Sequence, residues 1–108
     1  MKIHHLKLEA RWFKAVADLQ KTFEVRYDDR GYQVGDYLIL EEVTKNAEGC
    51  VDYTGFEITA QVSYILRADD FPMGLQPGYV VMAIKVLGVG EKLCDEKYRE
   101  SKYRELIA

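Results

Sequence analysis

Cysteine and proline are scarce in this sequence, with two of each among 108 residues. Cys50 and Cys94 show no CxxC or other metal-ligand spacing, so they read as free thiols in a reducing compartment. No apolar run approaches the ~20 residues that a membrane span requires. The first seven residues lack the apolar stretch of a secretory signal, so a cytoplasmic location with no membrane partner is expected. A Gly-rich phosphate loop and a nucleophilic triad of recognisable spacing are missing as well. His4 and His5 are adjacent, which on a strand sends them to opposite faces, where they cannot together chelate one ion without other ligands. No metal or cofactor is expected. Surplus positive charge is also lacking. Fifteen basic and eighteen acidic residues leave a net charge of −3, which excludes coating of nucleic acid by bulk electrostatics.

What is there suffices for one domain with a single core. The basic residues are unevenly placed. Positions 1–30 hold seven of them against five acidic ones, positions 31–90 hold three against eight, and positions 91–108 hold five of each. Any anion site should therefore draw on the first thirty residues. Residues 2–8 read as a strand with His4, Leu6 and Leu8 on one side. Glu9 to Gln20 carries Phe13, Val16, Ala17 and Gln20 at helical spacing. Trp12 lies on that stripe, which suits a core anchor or lid better than a base-stacking platform. Further strands are expected over Thr22–Arg26, Tyr37–Thr44, Phe56–Arg67 and Tyr79–Leu87. Lys45–Gly49 reads as a flexible tip, and Ala68–Pro77 as a loop with room for one helical turn. No crossover helix separates the later strands, so antiparallel pairing is expected among them. The fold class is α+β: a small, mixed, mostly antiparallel barrel over residues 1–90 with one helix packed on it. Residues 91–108 read as an appended helix able to dock on the barrel or to form a homodimer with a second copy.

The stretch Lys21-Thr22-Phe23-Glu24-Val25-Arg26, with Asp29-Arg30 behind it, concentrates charge where helix gives way to strand. Alternation places Phe23 and Val25 on one face, expected to be core, and Thr22, Glu24 and Arg26 on the other. Asp29 and Arg30 can pair with each other, or Arg30 can turn back to brace Glu24. A structural ion-pair network and a binding site account for this row about equally well. Tyr27, Tyr32, Tyr37 and Tyr53 can stack bases or cap a small core.

Lys21-x-x-Glu24-x-Arg26 followed by Gly35-Asp36 resembles the ASCH domain, a branch of the PUA-like superfamily with a GxKxxExR signature. His4-x-Leu6-Lys7, Asp29-Arg30, Val34-Gly35-Asp36, Tyr53-Thr54-Gly55 and Gly78-Tyr79-Val80-Val81 extend the likeness to a small bacterial and phage subfamily of unknown function with suspected RNA binding. The signature's glycine is replaced by Leu19, a residue that disfavours the left-handed turn a glycine would make. The resemblance implies a pseudo-barrel whose Lys21–Arg26 strand lines a cleft for RNA or a modified nucleotide, with Lys7, Lys21, Glu24, Arg26, Asp29 and Arg30 as binding candidates. Some small ASCH proteins hydrolyse N4-acetylcytidine with a lysine, a threonine and a glutamate. That lysine matches Lys21, but Glu24 stands at the threonine's place, and the acid has no clear match in Asp69 or Asp70. The catalytic candidates by this analogy are Lys21, Glu24 and Thr22. A protein-interaction domain with a purely structural polar row is the third reading.

Overall fold

The computed structural model describes residues 1–91, and the expected appended helix therefore lies, but for Glu91, outside the described residues. The elements run β1 (Ile3–Glu9), α1 (Ala10–Ala17), β2 (Phe23–Tyr27), β3 (Tyr37–Lys45), β4 (Val51–Arg67) and β5 (Tyr79–Glu91), with one 3-10 turn over Ala68–Asp70. β4 begins earlier and β5 ends later than the alternation alone indicates. Glu91 closes a strand and does not open a helix.

One mixed sheet holds all five strands in the order β1-β3-β4-β5-β2, with β1 and β3 parallel and the remaining pairs antiparallel. The inner face is laid down by period-two alternation: Leu6 and Leu8 from β1, Leu38 and Leu40 from β3, Ile58, Ala60 and Val62 from β4, and Val80, Met82 and Ile84 from β5. Phe13 and Val16 press α1 onto this core against β1, β3 and β5. The expected barrel is a half-barrel. β1 and β2 are the two edges and share no backbone ladder, yet the sheet curls until Arg26 Nη2 of β2 donates to the Lys7 carbonyl of β1 at 2.8 Å. A side chain bridges the seam.

β2 overturns the assignment of its faces. Phe23 and Val25 are 43% and 47% exposed, whereas Glu24 is 2% exposed. The cause is register. Glu24 pairs with Met82 and Arg26 with Val80, and cross-strand partners share a face. Because Val80 and Met82 lie in the core, their partners are carried inward with them. Phe23, Val25 and Tyr27 instead join Ala83, Val81 and Tyr79 on the outer face.

The helix-to-strand corner differs from expectation in a second way. α1 ends at Ala17, with Leu19 at φ +60°. Leu19 N–H donates to Val16 O at 3.0 Å and Gln20 N–H to Ala15 O at 2.9 Å, the paired bonds of a Schellman cap. The leucine adopts the conformation that the missing glycine would have supplied freely, so the corner keeps its shape at a cost in backbone strain.

Candidate functional site

Four sequence-expected residues converge where β1, α1 and β2 surround the seam. Glu24 projects inward from β2. Lys21 follows the Schellman cap, its own N–H donating to Ala15 O at 3.0 Å, which fixes its backbone before the strand begins. Its ammonium donates to Glu24 Oε1 at 2.7 Å and to Phe23 O at 2.6 Å. On the other side, Arg26 Nε donates to Glu24 Oε2 at 3.1 Å while its Nη2 holds Lys7 O. Both carboxylate oxygens are engaged by cations on flanking positions. A buried carboxylate is tolerable on those terms, since paired charge offsets the loss of water.

This cluster forms one wall of an open groove of about 690 Å³. Leu8, Ala15, Phe23 and Val25 give it apolar lining, while Lys7 and Gln20 contribute polar groups. Of the two roles expected of Trp12, core anchor or lid, the structure overturns the core anchor. It is 42% exposed and lines the groove, because the helix buries Phe13 and Val16 and leaves Trp12 at the border of the apolar stripe. The Arg11 guanidinium lies 4.2 Å from its ring centroid, and Lys21 Nζ lies 4.9 Å from that of Phe23. Cation–π contacts of this kind hold both charge and ring in place.

Charge-assisted bonds leave donors available. Among the described residues, the Lys21 ammonium retains an N–H after its two bonds, and Arg26 retains the N–H groups of Nη1. Chemically the wall is a row of N–H donors set beside an apolar surface, with Glu24 as the group that orients them.

The other candidates lie elsewhere. Thr22 is exposed and outside the groove lining, its carbonyl accepting from Ile84 N–H at 3.0 Å. Asp29 and Arg30 are exposed and stand beside each other at 3.7 Å, so Arg30 does not brace Glu24. The turn acid that matters is the neighbouring Asp28. Its Oδ1 accepts from the N–H groups of Arg30, Gly31 and Tyr32, and its Oδ2 accepts from Arg67. Partial burial alone would raise the Asp28 pKa, but those four donors hold it below the usual carboxylate range. Asp28 was marked in the sequence only by its place before Gly31 in a turn. None of Tyr27, Tyr32, Tyr37 and Tyr53 lines the groove; Tyr32 is in the core, and burial raises its phenol pKa.

A second buried acid, Asp36, entered the sequence only as part of the Gly35-Asp36 motif, with no role of its own. Asp36, at the entrance to β3, accepts from His4 Nε2 at 2.8 Å, from Lys2 N–H at 3.1 Å and from Gln33 N–H at 3.0 Å. Burial again opposes, but the His4 bond and the two backbone donors lower its pKa. His5, on the opposite face, is largely exposed. The signal available was the His4 position on the core side of β1.

Comparison with known proteins places the chain in a family. It is 34% identical over 70 residues to the "Uncharacterized 12.9 kDa protein in GpA 3'region" of Escherichia phage P2, a stretch covering 65% of this chain and 60% of that protein's length. A family model described as "Domain of unknown function (DUF3850)" matches residues 3–84, from the first strand to Ile84 in β5, so that every residue of the groove falls within it, and the chain belongs to that family.

Proposed function

We propose that the chain is a binding module of the PUA-like, ASCH type whose groove takes a nucleobase of RNA or of a modified nucleotide. The observation that carries this reading is the pairing of buried Glu24 with Lys21 and Arg26 on the wall of an apolar groove beside half-exposed Trp12. A nucleobase asks for that combination: a flat apolar surface for its ring and directed donors for its carbonyl and ring-nitrogen acceptors. Glu24 then acts as a positioning residue. Removing its charge frees both cations to swing apart and leaves Arg26 held only by its bond to the Lys7 carbonyl across the seam.

The hydrolytic alternative draws less support. Lys21 is engaged by a carboxylate and a carbonyl, and Thr22 stands outside the groove lining. An interaction domain with a purely structural ion network explains the buried cluster but not the open apolar groove beside it.

Titration with short single-stranded RNAs and with cytidine nucleotides, free and N4-acetylated, at two salt concentrations tests the reading. Saturable binding that Glu24→Gln weakens by about tenfold or more is expected, a loss of roughly 1.4 kcal/mol. Absence of binding at low salt would sink it. Release of acetate from N4-acetylcytidine, lost in Lys21→Ala, would replace it with the hydrolase.

A further inference from the structure

A second concavity, of about 420 Å³, opens between the start of α1 and the β3–β4 hairpin, with Ala10, Val43 and Val51 as apolar lining and Arg11 and Lys45 at its walls. It shares Lys7 and Glu9 with the first groove. The two adjoin there, and together they form a trough with Lys21 and Arg26 in its first half and the hairpin beside its second. Along it stand five cations, Lys7, Arg11, Lys21, Arg26 and Lys45, against two acids, Glu9 and Glu24, on a chain whose net charge is −3. Positive charge has been gathered into the trough.

The two halves hold their charges differently. Lys21, Glu24 and Arg26 are bonded at short range and largely buried, whereas Glu9 lies 3.8 Å from Arg11 and 3.9 Å from Lys45, with all three side chains well exposed. Exposed pairs at that separation are worth little, so an incoming anion displaces Glu9 at small cost. Lys7, at the join, is exposed and has no ion-pair partner among the described residues. A single base has use for the first half only; a chain of alternating bases and phosphates has use for both.

We propose that the ligand is a single-stranded oligonucleotide of more than one nucleotide. One base sits beside Trp12 and the Glu24 cluster, the backbone passes Lys7, and a flanking phosphate is held in the second groove by Lys45 and Arg11. This inference rests on the nucleobase reading above and adds a phosphate subsite to it. The weak, displaceable cations of the second half suit a backbone contact that carries no sequence information, while the rigid first half does the selecting.

The test uses the full chain, labelled RNA hexamers of random sequence, and the ribonucleoside 5′-monophosphates as competing probes. Hexamers are expected to bind at least about tenfold tighter than the mononucleotides, with affinity falling as salt rises. Lys45→Glu removes most of that advantage, weakening hexamers far more than mononucleotides. Lys45→Ala makes the dependence of log K on log salt shallower by about 0.7, the value for one contact to a single strand. Equal affinity for hexamers and mononucleotides, or a Lys45→Glu chain that binds hexamers as tightly as the parent, overturns the phosphate subsite and leaves the base site standing. Equal weakening of both probes by Lys45→Glu overturns it too. If neither probe binds, the nucleobase reading falls and the subsite with it.

Discussion

Glu24 and Asp36 are both carboxylates 2% exposed to solvent, and they are satisfied in opposite ways. Asp36 takes its bonds from two backbone N–H groups and from the buried ring of His4, all fixed by the fold. Glu24 takes its bonds from the flexible ends of Lys21 and Arg26, both of which stand on the wall of a groove. The first arrangement ties the N-terminal strand to the start of β3 and has nothing further to offer. The second holds donors that remain able to meet a ligand. Burial alone does not separate a structural acid from a functional one; what its partners can still reach does.

Substitutions should pull the two apart. Asp36→Ala strands His4 and two N–H groups without an acceptor, and each buried donor left unsatisfied costs about 1–3 kcal/mol, to be read as loss of chemical-denaturation stability. Glu24→Gln keeps an acceptor oxygen, and its stability cost is about 1–2 kcal/mol, with the larger change appearing in RNA affinity. A Glu24→Gln chain as unstable as Asp36→Ala would erase the distinction. Trp12→Ala removes a stacking face worth about 1–3 kcal/mol per base in binding titrations while leaving the melting temperature nearly unchanged, since the ring is half exposed.

Leu19→Gly sharpens the corner that places Lys21. The left-handed conformation costs leucine about 1–2 kcal/mol, and the side chain is 63% exposed, so the glycine variant should gain about 1 kcal/mol in denaturant melts with affinity unaltered. Acid is the mildest probe. The folded pKa values of Asp28 and Asp36 lie below their unfolded value of about 3.9. Their contribution is therefore complete above that value and is lost as pH falls through the folded values. Thermal melts between pH 5 and 2.5 should show a decline that Asp36→Asn flattens.

Much of this was legible in the chain. The alternation of Phe56–Arg67 and the helical stripe of Phe13 and Val16 gave strand and helix, but period and burial agree on β4 only from Ile58 to Val62; past the register shift between Val62 and Tyr64 the buried side passes to Ile65 while Tyr64 is exposed. The cluster of Lys21, Glu24 and Arg26 was legible as a row of charge. Its direction was not. Which side of β2 faces inward is decided by a pairing with Met82 more than fifty residues away, and no local pattern carries that information. Asp36 and Asp28 were opaque for a related reason. Most of their partners are backbone N–H groups, which every residue but proline possesses and no sequence distinguishes.

The inversion of β2 has a consequence for how the chain reaches its native state. Its binary pattern by itself favours a strand slipped by one residue, with Phe23 and Val25 inside and Glu24 in water. That alternative is compact and apolar, and β2, an edge strand paired only with β5, is held against it by the ion cluster and the corner at Leu19. The residues proposed to bind thus also police the folding landscape, a local conflict resolved only by long-range agreement. Refolding followed by tryptophan fluorescence should show a slow phase that grows in Glu24→Val, whose strand has lost the ion cluster and keeps only the corner at Leu19 to hold its native face.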